Sequence, residues 1–77
     1  MEFKADALVL RAADWGEYDK IVTLFTAERG KLSAALKGVK RAGAKLKFAA
    51  QPFCFAEFVF VEKAGRHTVI SAYLHDG

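Results

Sequence analysis

The chain has 77 residues, which allows one domain at most, and 53% of them are hydrophobic, which is enough for a core and argues against disorder. Twelve Lys and Arg residues outnumber nine Asp and Glu residues, so the formal net charge is +3. With one cysteine and two histidines, the chain can form no internal disulfide and no Cys/His zinc site. The sequence shows no signal peptide and no apolar stretch long enough to span a bilayer, so we expect a cytoplasmic protein.

The first part of the chain predicts two strands joined by a turn. Residues 5–12 form an apolar run that suits a strand buried on most of one face. Residues 19–26 are rich in β-branched and aromatic side chains, which is typical of a second strand. Between them, residues 14–17 supply turn chemistry, because Gly16 is free to adopt a positive φ.

A third strand is predicted over residues 31–37, after a short hairpin connection with Gly30 in the left-handed position. Apolar and other side chains alternate cleanly along it, so one face belongs to the core. The other face is small, polar and flanked by Lys31 and Lys37, which suits an exposed binding surface. The side chains expected in the core are Leu32, Ala34 and Leu36.

The second half of the chain predicts a short helix and two more strands. Residues 44–51 form one or two helical turns with Leu46 or Phe48 in the core, and Pro52 ends them. Residues 53–62 form a strand that is apolar on both faces, and residues 68–74 form the last strand after a hairpin connection.

We expect most of the seven Phe residues to be buried, because Phe has no polar group. Phe58 or Phe60 is an exception if it faces the rest of a longer protein, since it then forms an exposed apolar patch on this domain. The chain stops soon after its last strand, and we expect residues 1–77 to be one domain at the N-terminus of a longer protein.

The order of elements is three strands, a short helix and two strands, which predicts an all-β barrel. A five-stranded OB-fold barrel has this β-β-β-α-β-β layout, with its helix between the third and fourth strands. An SH3-like barrel is the nearest competing architecture.

Residues 37–47 concentrate the positive charge of the chain, with five basic side chains and no acidic one. The other 66 residues carry seven basic and nine acidic side chains, so the rest of the chain is slightly acidic. Such a segment favours contacts to nucleic-acid phosphates, where each neutralised phosphate releases counterions. The alternative is a solvated loop whose charge only confers solubility. The candidate phosphate ligands are Lys37, Lys40, Arg41, Lys45 and Lys47.

Three residues outside this segment are further candidates for nucleic-acid contacts. Arg11 and Lys31 extend the basic track if the first three strands form the binding face, or are ordinary surface charges. Trp15 either stacks on a base or folds its ring back over the end of the barrel.

The sequence resembles the N-terminal domain of RecO, a bacterial mediator of DNA recombination and repair. The resemblance covers nearly the whole chain and rests on five stretches in order: residues 7–11, 16–26, 29–32, 37–41 and 51–53. It implies an OB-fold that binds single- and double-stranded DNA, promotes strand annealing and helps to load recombinase in the nucleoid of the bacterial cytoplasm. It also implies RecR and single-strand-binding protein as partners.

We expect no catalytic residues, no metal and no cofactor, because the sequence offers neither a Ser-His-Asp or Cys-His set nor a nucleotide-hydrolase phosphate loop. His67 and His75 are expected at the surface. Two other functions stay open on the residues alone: a protein-interaction barrel that docks an acidic partner, and an RNA-binding barrel.

Overall fold

The computed structural model describes residues 1–75 and shows five β-strands with one short helical turn. Asp76 and Gly77, the last residues of the predicted domain, lie outside the described residues. The turn is a 3-10 helix between the third and fourth strands, so the all-β prediction with one short helix is confirmed. The elements are β1 Glu2–Trp15, β2 Asp19–Thr26, β3 Gly30–Leu36, the 3-10 turn Lys47–Ala50, β4 Phe55–Lys63 and β5 Arg66–Leu74.

The strands close into a barrel in the order β1-β2-β3-β5-β4, consistent with the predicted OB-fold. β1 belongs to two ribbons, because its first half pairs with β4 and its second half pairs with β2. A bulge between Val9 and Arg11 lies near the change of partner, where a bent strand is needed to close a small barrel. β3 and β5 complete the closure through one parallel pair, Ala35 and Thr68.

Alternate side chains of the strands fill the interior. On β3 the predicted alternation is confirmed, since Ala34 and Leu36 are buried and Leu32 packs partly buried against them. The 3-10 turn packs on β1 with Ala49 fully buried and with Leu46 and Phe48 partly buried at the edge of the core. The largest fully buried side chains are Phe58, Phe60, Leu24, Leu36, Val9 and Val22.

The Phe residues are placed differently from the prediction. Phe58 and Phe60 face the interior, opposite Ala5 and Phe3 of β1, so the idea that one of them forms an exposed patch is wrong. Phe53 was expected to begin β4, but it takes a left-handed φ of 69° before the strand and its side chain is 79% exposed. Together with Phe53, Phe25 and Phe55 are the exposed members of the seven.

Both predicted hairpin connections are present. Gly30 has a φ of 67°, as expected for the left-handed position at the start of β3. Between β4 and β5, Ala64 and Gly65 both have positive φ, at 52° and 78°. This is the backbone of a type I′ turn, whose twist matches the flanking strands.

Candidate nucleic-acid interface

The outer face of β1, β2 and β3 presents two of the predicted basic residues, Arg11 and Lys31. The register places Arg11 opposite Thr23, and Thr23 opposite Ser33, in one outward-facing row. In a neighbouring row Lys31 lies opposite Phe25. Arg11 and Lys31 are both exposed, and neither forms an ion pair with any residue between Met1 and His75. The prediction that these strands present Arg11 and Lys31 on one face therefore agrees with the register.

A groove of about 490 Å³ lies where the β1–β2 turn, β3 and the β4–β5 turn approach one another. Trp15 and Asp19 contribute from the β1–β2 side, Lys37 follows the buried Leu36 of β3, and Arg66 comes from the start of β5. OB-folds bind oligonucleotides on the face of strands two and three, with the loops after strands one and four at its sides. The groove occupies that position. Its remaining lining residues are Ile21, Ser33, Ala34, Ala35, Gly65, His67 and Thr68.

Arg66 is a basic residue of this groove that the sequence reasoning missed. It stands in a hairpin, far along the chain from the basic segment, and only the β3–β5 closure brings it beside Lys37. Its position in the sequence does indicate it: Arg66 directly follows the loop between the fourth and fifth strands, which is one of the binding loops of an OB-fold.

Trp15 is exposed, and the alternative in which its ring folds back over the end of the barrel is wrong. It is the last residue of β1, opposite Asp19, and its side chain is 65% exposed along one wall of the groove. Gly16 follows with a φ of 72°, so the chain turns immediately after the indole.

Lys40 is held in an ion-pair cluster. Its ammonium lies 2.9 Å from Oδ2 of Asp14, and the ammonium of Lys20 lies 3.4 Å from Oδ1 of the same carboxylate. The hydrogen bond from Lys40, followed by that from Lys20, lowers the pKa of Asp14 below its ordinary value. Lys40 therefore has an acidic partner already, unlike Lys37 in the described part of the chain.

The backbone around Lys40 is also fixed to the β1–β2 turn. The Gly38 N–H donates to Oδ1 of Asp19 at 2.7 Å, and the Lys40 N–H donates to the Tyr18 carbonyl at 2.8 Å. The Arg41 guanidinium lies 3.9 Å from the centroid of the Tyr18 ring, in cation–π contact. Residues 38–41 and the β1–β2 turn thus form one packed unit. In this part, the basic segment differs from the solvated loop of the alternative interpretation.

The last two predicted phosphate ligands, Lys45 and Lys47, lie apart from this unit. Both are exposed and flank Leu46 at the start of the 3-10 turn, which packs against β1. Neither lines the groove nor forms an ion pair within residues 1–75. The eight predicted residues therefore fall into three groups rather than one continuous track: the groove and outer face, the Asp14 cluster, and the 3-10 turn.

The chain matches, over residues 1–76, the family described as "Recombination protein O N terminal". It belongs to the RecO N-terminal family. It is similar to DNA repair protein RecO of Heliobacterium modesticaldum, with 43% identity over 70 residues that cover 91% of this chain and 26% of that protein. It is also 38% identical to DNA repair protein RecO of Bacillus subtilis, over 86% of this chain and 26% of that protein. The resemblance seen in the sequence is confirmed, and the chain spans about a quarter of the length of these relatives.

Two further features of this RecO-family domain concern metals and membranes. Within residues 1–75 the structure brings together no three His, Cys, Asp or Glu side chains that could hold a metal ion. Its single described helix is the four-residue 3-10 turn, so none of the described helices could cross a membrane.

The histidines of the RecO-family domain have structural contacts. His67, expected at the surface, is half-buried: it lines the groove, and its ring packs edge-on against Phe3 and Phe60. Its partner across the hairpin is Glu62, at 3.8 Å. His75 is exposed as predicted and lies 2.7 Å from Asp6.

Proposed function

We propose that this chain is the DNA-binding domain of a recombination and repair mediator, and that it binds single- and double-stranded DNA along the groove and the outer face of β1–β3. The observation that carries the proposal is that Lys37 and Arg66 line the groove, while Arg11 and Lys31 are exposed on the adjoining outer face. Arg11, Lys31, Lys37 and Arg66 come from three strands and a turn, and none has an ion-pair partner in the described part of the chain.

Binding of this kind depends on phosphate charge rather than on base identity. Each phosphate that a Lys or Arg neutralises releases condensed counterions, which gives affinity with little sequence preference. The same neutralisation lowers the repulsion between two strands. Strand annealing and recombinase loading, which the family resemblance implies, are part of this proposal, and so are RecR and single-strand-binding protein as partners.

The two other groups of basic residues have different roles in this proposal. Lys45 and Lys47 are free to add phosphate contacts at the 3-10 turn for DNA that extends beyond the groove. Lys40 and Arg41 contribute less, because Asp14 and the Tyr18 ring already engage them.

The proposal is tested by fluorescence anisotropy of a labelled single-stranded oligonucleotide at several salt concentrations. If three cations each meet a phosphate, log K falls with log salt with a slope of about −2. Lys37→Ala with Arg66→Ala should make the slope shallower by roughly 1.4, the contribution of two phosphates. Lys45→Ala with Lys47→Ala removes the same charge and is the matched control, for which we expect a smaller change. No binding even at low salt, or equal losses in both double variants, would overturn the groove as the site.

A protein-docking module is the second candidate function, and one observation favours it. Leu8 pairs with Phe25 on one side and with Phe55 on the other, so an apolar row crosses the outside of β2, β1 and β4. Phe25 and Phe55 are about half exposed. A partner complex that persists after the Lys37 and Arg66 substitutions but is lost with Phe25→Ser and Phe55→Ser would identify this row as a docking surface.

A further inference from the structure

We infer that Trp15 is the residue that makes this domain discriminate single-stranded from double-stranded DNA, by stacking on one unpaired base in the groove. The inference rests on the proposed function. Lys37 and Arg66 contact phosphates of both single- and double-stranded DNA, whereas the indole of Trp15 binds only a strand whose bases are unpaired.

The exposure of Trp15 is the first argument. A Trp side chain is usually buried to a high degree, because its large apolar area is costly to leave in water. Here Trp15 is 65% exposed, in the groove that Lys37 and Arg66 also line. Tyr18, the other aromatic side chain of the β1–β2 turn, is already covered on one face by Arg41.

The second argument is the arrangement of the groove around the ring. Trp15 lines one side, and the same groove is lined by Lys37, which directly follows β3, and by Arg66 at the start of β5. A base that stacks on the indole therefore brings its own phosphates near two cations. In a duplex the base faces are covered by their neighbours, so no face is available to the ring and only the phosphates can be contacted. Stacking on aromatic rings is tolerant of base identity, because every base has a π-face.

The groove also contains a carboxylate, Asp19, which faces Trp15 across the β1–β2 pair. Its Oδ1 accepts the Gly38 N–H at 2.7 Å, which holds it against the segment after β3. This hydrogen bond ties the end of the β1–β2 turn to the segment after β3, so Asp19 helps to set the position of the turn that carries Trp15.

The backbone of the turn that presents Trp15 is fixed from both ends. Asp14 on one side of Trp15 is bonded to Lys40, and the Tyr18 carbonyl on the other side accepts the Lys40 N–H. A backbone that is held in place before binding loses less conformational freedom when a base stacks on the side chain it carries.

The experiment uses the fluorescence of Trp15, which is the one tryptophan in the sequence. A short oligo(dT) and a hairpin duplex of equal phosphate number are each titrated into the domain at one salt concentration. We expect the single strand to quench the indole emission at saturation and the duplex to leave it nearly unchanged, although anisotropy reports binding of both.

Three variants then separate stacking from charge. Trp15→Ala should weaken single-strand binding between about fivefold and about 150-fold, the range for one base stacked on an aromatic ring, and should leave duplex binding unchanged. Trp15→Phe should recover part of the loss. Tyr73→Ala removes another exposed aromatic, on a face away from the groove, and should change neither affinity.

Equal quenching by duplex and single strand, or a Trp15→Ala variant that binds both DNAs as the natural protein does, would overturn the inference and leave phosphate binding by the domain intact. Loss of Trp15 that weakens both DNAs equally would also overturn it. If the natural domain binds neither DNA, the proposed function fails first and the inference fails with it.

Discussion

The carboxylate of Asp14 lies 2.9 Å from the ammonium of Lys40 and 3.4 Å from that of Lys20, so one side chain joins β1, β2 and the segment after β3. Lys40 is 26 residues from Asp14 in the chain. The contact adds to the burial of Val39 and to the backbone hydrogen bonds of Gly38 and Lys40, which together pack this part of the basic segment on the barrel. It also places the one clearly perturbed acidic pKa of the described chain next to the proposed DNA site.

The first prediction concerns the pH dependence of stability. Because the pKa of Asp14 is lower in the folded protein than in the unfolded chain, the stabilisation is complete above the ordinary pKa of 3.8 and is lost as the pH falls through the depressed value. The Asp14→Asn variant lacks this component. We therefore expect the Tm difference between natural protein and variant to shrink as the pH falls from about 6 to below 3. The effect should be small, since the pair is exposed to solvent.

Thermal denaturation followed by circular dichroism at a series of pH values measures this difference. Asp6→Asn is not a suitable control, because Asp6 contacts His75, but Glu28→Gln removes an acid that forms no described ion pair within residues 1–75. A Tm difference for Asp14→Asn that stays constant with pH would contradict the role assigned to the carboxylate.

The second prediction concerns the core. Phe58 is fully buried between β1 and β5, and Phe58→Ala should cost about 3–5 kcal/mol. A domain of this size has little stability to spare, so the variant should be largely unfolded at 37 °C. Phe53→Ala, which truncates an exposed ring, should change the free energy of unfolding by about 0.5 kcal/mol or less. Urea denaturation of both variants is the measurement, and similar losses in the two would contradict the placement of these rings.

Features of the fold and site that depend on residues close together in the chain can be predicted from the sequence, and features that depend on contacts between distant residues cannot. β2 was predicted with its observed bounds, because its β-branched residues and the glycine turns around it lie in one short stretch. The place of Arg66 beside Lys37 was missed for the opposite reason. It depends on β3 and β5 meeting at Ala35 and Thr68, a pairing between distant parts of the chain that no local pattern encodes. Likewise, Lys40 looks like a free cation in the sequence until folding brings Asp14 to it.

The third prediction concerns the turn between β4 and β5. Ala64 has a φ of 52°, where a residue with a Cβ is strained by about 1–2 kcal/mol. Asn tolerates this conformation, and Asn-Gly is the preferred pair for a type I′ turn. Ala64→Asn should therefore stabilise the domain by about 1 kcal/mol and raise Tm by roughly 4–8 °C. Ala27→Asn, in the β2–β3 turn where φ is not positive, is the matched control and should change Tm little. A lower Tm for Ala64→Asn would contradict the turn geometry.

The fourth prediction separates the Asp14 cluster from the groove. Lys40→Ala with Arg41→Ala removes two charges, as does the double substitution of Lys37 and Arg66. Lys40 is bound to Asp14 and Arg41 covers Tyr18, so a phosphate must compete with existing partners at both. We expect the Lys40 and Arg41 variant to stay folded, because both side chains are at the surface, and to lose less DNA affinity than the groove variant.

Anisotropy at several salt concentrations makes this comparison, with Tm as the check on folding. The Asp14→Asn variant adds a second test, because it releases Lys40 from its acidic partner. If Lys40 then meets a phosphate, the slope of log K against log salt becomes steeper by up to about 0.7 for single-stranded DNA. A larger loss from the Lys40 and Arg41 variant than from the groove variant would place the main phosphate site at Lys40 and Arg41 and contradict the groove as the main site.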